Sequence, residues 1–139
     1  MAVVKILKSF RNVAIVGASS DPGKPSNIVF RYLTDHGYNV IPVNPTINEV
    51  EGKKCYASLT VIPEKIEVVD IFRRAEDVPS IVDEAIKIGA KAVWMQEGII
   101  NDAAAEKARS AGLLVVMDRC MRKEHIRLSE EGQNGSLPW

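Results

Sequence analysis

The sequence predicts an α/β fold in which a doubly wound, mainly parallel sheet of five strands carries helices on both faces. Five short apolar segments alternate with helical patterns, and three of those patterns end one residue before a glycine. A glycine just past a helix end adopts the left-handed conformation that stops the helix. The apolar segments are nearly continuous rather than alternating, which is typical of parallel strands buried on both faces.

The individual elements follow from these patterns. Asp77 and Asn101 occupy N-cap positions, while Pro25 and Pro79 lie in first turns, where a missing N–H costs nothing. Right-handed crossovers then predict the strand order 3-2-1-4-5. We expect strands at residues 13–16, 38–43, 67–72, 91–95 and 113–117, and helices at residues 3–10, 25–36, 78–88, 102–111 and 120–128.

The pattern weakens between the second and third strands. Asn44-Pro45 and Glu51-Gly52 are turn signals, and residues 53–56 are compatible with a short edge strand. We expect a shortened, irregular crossover here. The whole predicts a single domain over residues 1–128, followed by a loosely ordered tail at 129–139.

Composition excludes several classes of partner. The chain has 139 residues, and its 18 basic and 18 acidic side chains cancel. That balance gives no electrostatic footprint for nucleic acid or for a membrane surface. Two cysteines are too few for a disulfide framework, and no signal peptide or membrane span is evident. We expect a cytoplasmic protein.

The loop after the first strand predicts a phosphate site. Gly17 follows a buried strand, and a helix opens at Pro25, so backbone N–H groups and the positive end of a helix dipole face the loop. Lys24 offers a cation. The glycine spacing matches neither the dinucleotide fingerprint nor a Walker loop. Alternatively, Lys24 is a solvated surface lysine and the nearby serines are caps. Ser19, Ser20 and Ser26 offer hydroxyl groups to the phosphate.

The ends of the next two strands line the same predicted crevice, between the first and fourth strands. A nicotinamide-binding domain usually has an acidic residue after the second strand, where this chain has Asn44. After the third strand, Phe72 offers a face for a base, and Arg73 and Arg74 offer cations for phosphate. The alternative is that both arginines form surface ion pairs with Glu76 and Asp77.

The last two strand ends carry polar groups of weaker meaning. Gln96 and Glu97 lie where they can bind amides or hydroxyls, but one carboxylate without a positioned partner is weak evidence for acid–base catalysis. Cys120 is predicted at the mouth of the crevice and at a helix start, where a thiolate is favoured. The alternative is a half-buried, inert thiol. We expect no metal site and no catalytic triad.

A resemblance to a known family rests on four segments: VGASSDPGKPS, VNP, MQEGI and MDRC. Together they resemble the small stand-alone coenzyme-A-binding proteins, whose Rossmann-like fold is shared with the N-terminal domain of the succinyl-CoA synthetase α subunit. The resemblance spans about residues 11–128. It implies that Phe72 and Arg73 lie beside the nucleotide and that Cys120 lies near the CoA end. It also implies that the CoA phosphates are held by the first loop, at Gly17, Ala18, Ser19 and Lys24. It also implies that Val43, Asn44 and Pro45 border the nucleotide and that Met95, Gln96 and Glu97 flank the pantetheine.

The resemblance implies binding rather than catalysis. The synthetases add a phosphohistidine domain and a nucleotide-grasping subunit, and neither His36 nor His125 matches that histidine, so acyl-CoA synthesis by this chain alone is not expected. A carrier, sensor or partner subunit for CoA or acyl-CoA is the leading hypothesis, with a homo-oligomer or a protein partner left open. The alternatives are a redox protein that forms a Cys120–CoA mixed disulfide and a nicotinamide-binding redox sensor.

Overall fold

The computed structural model describes residues 2–133, which contain seven strands and five α-helices. Short 3-10 helices at Leu59–Val61 and Ala75–Asp77 lie in the connections. The strands are β1 (Asn12–Val16), β2 (Asn39–Val43), β3 (Glu49–Val50), β4 (Lys53–Lys54), β5 (Val68–Ile71), β6 (Ala92–Met95) and β7 (Leu114–Val116). The helices are α1 (Ala2–Ser9), α2 (Pro25–Asp35), α3 (Val78–Lys87), α4 (Asp102–Ser110) and α5 (Met121–Gln133).

Five of the strands form one parallel sheet, which confirms the predicted fold class. Its order is β2-β1-β5-β6-β7, so in terms of the five predicted strands it is 2-1-3-4-5, and the predicted order 3-2-1-4-5 is wrong. Val16 of β1 lies opposite Val43 of β2 on one side and Ile71 of β5 on the other. The strand order therefore reverses between β1 and β5, and that is where such sheets bind their ligands.

The irregular connection after β2 explains the different order. Its strands β3 and β4 form a two-stranded antiparallel hairpin, and Tyr56, just after the hairpin, bridges Val43 in parallel. Lys53 also donates from Nζ to the carbonyl of Val40 over 2.8 Å. Because the connection itself covers the outer side of β2, the following strand crosses back and pairs with β1.

Helices cover both faces of the sheet, as predicted. On one face, Ile15 and Trp94 belong to a buried apolar cluster that also includes Leu7 of α1, Phe30 of α2 and Met121 of α5. A second cluster covers the other face with apolar residues of α3 and α4, among them Val82, Ala105 and Ala108. In the described part of the chain, no helix combines the length and the apolar composition that crossing a bilayer requires.

The helix ends follow the sequence signals with two exceptions. Gly37, Gly89 and Gly112 have φ values of 90°, 76° and 90°, and Asn101 caps α4 by accepting from the N–H of Ala104 at 3.0 Å. Asp77 precedes α3 but makes no side-chain cap.

The final helix also ends later than predicted. It continues to Gln133 rather than ending at residue 128, so residues 129–133 are helical and not part of a loose tail. Met121, His125 and Leu128 are buried at the spacing of one helix face, so α5 packs against the core up to the predicted end. The rest of the predicted tail, residues 134–139, lies outside the described residues.

Asp70 is a fully buried carboxyl in the middle of the central strand β5. It lies in register between Ile15 and Trp94, and neither of its carboxyl oxygens has a hydrogen-bond partner among residues 2–133. Burial raises the pKa of Asp70 well above its ordinary value, because the charged form loses its hydration there. A neutral, unpaired carboxyl at this position lowers the stability of the sheet.

We expect Asp70→Asn to remove a pH dependence of stability. Below the ordinary aspartate pKa, near ~3.9, the carboxyl is protonated in both the folded and the unfolded state. As the pH rises toward the raised folded-state pKa, the unfolded chain ionises first, so the folded wild type loses stability. The asparagine variant has no such titration. Its free energy of unfolding relative to that of the wild type should therefore increase as the pH rises.

Urea unfolding at several pH values between 4.5 and 8 measures this difference. The exposed Asp35→Asn substitution is the control, and it should follow the wild-type curve. Parallel pH profiles for the wild type and Asp70→Asn would contradict the assignment of a buried neutral carboxyl.

Candidate functional site

A cleft of about 880 Å³ opens at the carboxyl ends of β1, β2, β5 and β6. It therefore lies at the point where the strand order reverses, which the corrected order places between β1 and β5 rather than between the first and fourth strands. The residues that line it are Gly17, Ala18, Ser19, Ser20, Lys24, Pro25, Ser26, Asn44, Thr46, Ile47, Phe72, Arg73, Arg74, Ala75, Gln96, Glu97, Gly98 and Ile99.

Gly17 sets the direction of the first loop. Its φ is +90°, and a Cβ placed on it would lie 2.5 Å from the carbonyl oxygen of Phe72, so only glycine fits this turn. The N–H groups of Gly17 and Ala18 both donate to the carbonyl of Val43, at 3.0 and 3.2 Å. These two amides therefore attach the loop to β2 and are not free for a ligand, so they are not among the backbone N–H groups that were predicted to face a phosphate.

The free amides lie further along the loop. Within the described part of the chain, the backbone N–H groups of Ser19, Ser20 and Ser26 have no acceptor. The neighbouring amides are occupied, since Asp21 N–H donates to Ser19 Oγ at 3.0 Å and Lys24 N–H donates to Asp21 O at 3.1 Å. Ser26 is in the first turn of α2, so its amide adds to the positive end of that helix dipole.

Lys24 is the cation closest in sequence to these amides. Its side chain is exposed, it lines the cleft, and it forms no ion pair with any residue that the structure describes. A lysine beside free amides at a helix N-terminus is a typical environment for a phosphate.

The opposite wall carries two more cations, Arg73 and Arg74, which contact their own acidic neighbours. Nε of Arg73 lies 3.6 Å from Asp77 Oδ2, and Nε of Arg74 lies 3.7 Å from Glu76 Oε1, so the ion pairs of the alternative hypothesis are present. These distances exceed the ~2.7–2.9 Å of charge-assisted hydrogen bonds. Exposed pairs of this kind contribute only ~0–1 kcal/mol, so an anion in the cleft competes with them at low cost.

Three polar side chains of the lining have structural hydrogen bonds. Asn44 donates from Nδ2 to the Ala18 carbonyl at 2.8 Å and accepts from the Thr46 N–H at 2.9 Å, which joins the loops after β1 and β2. Gln96 accepts from the Met121 N–H at 3.0 Å and so caps α5. Glu97 forms an ion pair with Lys123 across the rim, at 3.0 Å.

Four predicted site residues do not line the cleft. The side chains of Val43 and Met95 are buried in the apolar core on the α3 and α4 side of the sheet, because alternate strand residues face opposite ways. Pro45 lines a small neighbouring cavity instead. Cys120 is only 7% exposed and belongs to the apolar cluster around Trp94, so its thiol lies beneath the cleft and not at its mouth.

Six residues of the lining were not among the candidate site residues named from the sequence: Pro25, Thr46, Ile47, Ala75, Gly98 and Ile99. Ile47 and Ile99 are apolar residues that directly follow the turns at residues 45–46 and 97–98. An apolar residue in a turn is a usable signal of a wall that a ligand contacts. Ala75 and Thr46 carry no comparable signal in the sequence.

The residues that line the cleft can bind a polar or anionic ligand. The lining provides amide and hydroxyl donors, three cations and the half-buried face of Phe72, and it includes neither histidine nor cysteine. Burial perturbs several titratable groups away from the cleft, among them Cys55 in the apolar interior and His125 on the buried face of α5. Burial raises the pKa of the Cys55 thiol and lowers the pKa of His125.

Comparison with known proteins identifies the family. A family model described as a CoA binding domain matches residues 11–126, which is most of the chain. The chain belongs to this CoA-binding family. That confirms the family named from the sequence motifs.

The relatives of this CoA-binding chain include both small proteins and large ligases. The Bacillus subtilis protein YneT is 37% identical over 123 residues, which cover 88% of this chain and 91% of YneT. An ADP-forming acetate–CoA ligase of Methanocaldococcus jannaschii is 32% identical over 136 residues, 91% of this chain but only 19% of the ligase. This chain therefore spans about a fifth of the length of that ligase.

Solved structures agree with this grouping. A hypothetical protein from Pyrococcus horikoshii has 49% identity and a TM-score of 0.89, covering 91% of this chain and 89% of its own. The apo form of a dinucleotide-forming acetyl-coenzyme A synthetase from Ca. Korarchaeum cryptofilum has 29% identity and a TM-score of 0.70. It covers 81% of this chain and 27% of its own. The same fold thus occurs in small proteins and in parts of acyl-CoA-forming enzymes.

We expect Gly17→Ala to destabilise the protein strongly. The substitution forces a side chain into positive φ, which costs about 1–3 kcal/mol, and it brings a methyl group within 2.5 Å of the Phe72 carbonyl. Gly23→Ala is the matched control in the same loop, since a Cβ there meets only Asp21 Oδ1 at 3.5 Å.

Urea unfolding of the two variants measures the difference. Gly23→Ala should stay within about 0.5 kcal/mol of the wild type. Equal stabilities for the two variants would mean that the turn at Gly17 does not have the geometry described.

Proposed function

We propose that this chain binds coenzyme A, or an acyl-CoA, in the cleft at the carboxyl ends of the strands. The observation that carries the proposal is the convergence of anion-binding groups on one cleft. The free amides of Ser19, Ser20 and Ser26 lie with Lys24 on one wall, and Arg73 and Arg74 lie on the other. Membership of the CoA-binding family supports CoA as the anion.

The chemistry of CoA matches the groups that the cleft provides. Its three phosphate groups need amides and cations, its adenine needs a flat apolar face such as that of Phe72, and its pantetheine arm carries amides that polar rim groups can bind. A pocket volume of about 880 Å³ is within the ~300–1,000 Å³ of cofactor sites. In this assignment the structural hydrogen bonds of Asn44 and Gln96 keep the walls in place around the ligand.

We propose a non-catalytic role as a carrier, sensor or partner subunit. The lining has no nucleophile with an adjacent base among the described residues, and the ligase relatives are several times longer than this chain. In this role a separate partner protein supplies or uses the acyl group, and this chain holds the CoA. The two cysteines are free thiols, which suits the reducing cytoplasm.

CoA should raise the melting temperature of the wild type, because a ligand that binds only the folded state stabilises it by mass action. Lys24→Ala should weaken binding about tenfold, the effect of losing one charged hydrogen bond to phosphate. Lys5→Ala is the control, because Lys5 is an exposed lysine of α1 that does not line the cleft. This variant should bind CoA as the wild type does. Thermal-shift titrations of the three proteins give the comparison.

Acetyl-CoA, NADH and ATP belong in the same titration. Stabilisation by CoA and acetyl-CoA at concentrations where NADH has no effect supports the proposal. No shift with millimolar CoA would refute it, and a larger shift with NADH would favour a nicotinamide sensor instead.

A further inference from the structure

The loop that lines the cleft is connected to the tip of the β3–β4 hairpin through one buried side chain. Asn27, in the first turn of α2, is fully buried. Its Nδ2 donates to the Ser19 carbonyl at 2.8 Å and to Glu51 Oε2 at 3.2 Å. Its Oδ1 accepts from Arg31 Nε at 2.7 Å. The network thus joins the cleft loop, the helix and the hairpin.

The chemistry of the partners fixes the orientation of the Asn27 amide. Arg31 can only donate, so the oxygen of Asn27 must face it, and the carbonyl of Ser19 and the carboxylate of Glu51 can only accept from Nδ2. Both N–H bonds of Nδ2 are therefore used. Arg31 Nη2 also donates to the Pro22 carbonyl at 3.0 Å, so the same network holds the loop at two points, Ser19 and Pro22.

Without Glu51, one N–H of a fully buried amide loses its acceptor. A buried donor without a partner is costly, so the Asn27 side chain would rotate or admit water. Either change disturbs the 2.8 Å bond to the Ser19 carbonyl. That bond sets the position of the segment whose amides at Ser19 and Ser20 are free.

The backbone at Glu51 gives an independent reason to look for a function. Glu51 and Gly52 are the two residues of the hairpin loop, with φ values of 49° and 79°, as a type I′ turn requires. Asn, Asp or Gly is favoured at the first of these positions, and glutamate is a strained choice there. Residues that break a local rule of this kind cluster at functional sites. The glutamate side chain is long enough to reach Asn27.

We propose that Glu51 is a positioning residue of the cleft. From the hairpin tip it holds Asn27, and through Asn27 it fixes the Ser19–Ser20 segment in the position that binds the ligand's phosphate. The inference rests on the proposed CoA binding. It adds that affinity is controlled from a hairpin whose tip does not itself line the cleft.

The test compares Glu51→Gly with Glu51→Gln. Glycine suits the positive φ but removes the acceptor, whereas glutamine keeps an acceptor oxygen and removes the charge. Isothermal titration with CoA should give a Kd raised about two- to tenfold for Glu51→Gly and a Kd near the wild-type value for Glu51→Gln. The melting temperature of ligand-free Glu51→Gly should change little, because relief of the strained turn offsets the loss of the Asn27–Glu51 hydrogen bond.

Three outcomes would overturn the proposal. Equal CoA affinity of Glu51→Gly and the wild type would show that the hydrogen bond between Asn27 and Glu51 has no effect on binding. Tighter binding by both variants would show that Glu51 acts only by repelling the anionic ligand. Equal weakening in both would show that the hydrogen bond is not the cause.

A measurement without ligand separates this proposal from the proposed function. Backbone order parameters of Ser19 and Ser20 should fall in ligand-free Glu51→Gly relative to the wild type and to Glu51→Gln. If the wild type fails to bind CoA while these order parameters change as expected, the proposed CoA binding is wrong, but the positioning of the Ser19–Ser20 segment by Glu51 is supported. If the wild type binds CoA and Glu51→Gly changes neither the order parameters nor the Kd, the positioning role of Glu51 is wrong, but the proposed CoA binding is supported.

Discussion

The cleft depends on the close passage of Gly17 over the carbonyl of Phe72. The chain leaves β1 at this residue with φ +90°, and the space above the carbonyl admits no side chain. Hydrogen bonds on both sides then fix the turn, because Gly17 N–H donates to Val43 O and Phe72 N–H donates to Val16 O. The first loop is thereby attached to β2 and β5 at the point where they diverge from β1, and the cavity between these strand ends follows from that attachment.

Polar groups around the cleft divide into two sets with different tasks. Asn27, Asn44 and Gln96 are buried or partly buried, and their hydrogen bonds join one loop to another. Lys24 and the residues with free amides, Ser19, Ser20 and Ser26, line the cleft, and these groups have no partner in the described part of the chain. A binding site of this kind is preorganised, because the groups that hold the walls are satisfied before the ligand arrives.

Two positions near the cleft depart from what stability alone would select. Asp70 is an unpaired carboxyl in the central strand, two residues before Phe72, and Glu51 has a positive φ where glycine or asparagine would be relaxed. The hydrogen bond that Asn27 donates to the Glu51 carboxylate gives a reason for the second departure. The structure offers no comparable partner for Asp70, and its burial remains a cost to the sheet.

The alternation of strands and helices can be predicted from the sequence, and so can the glycine stops and most of the cleft lining, because these depend on local periodicity and on the rule that ligands bind at strand ends. The three-dimensional structure was needed for the strand order, since that order depends on which edge of β2 the connection through Tyr56 covers. It also decided that Cys120 is buried and that the Gly17 and Ala18 amides bond to Val43. Such contacts join residues far apart in the chain, and a local pattern carries no information about which of them form.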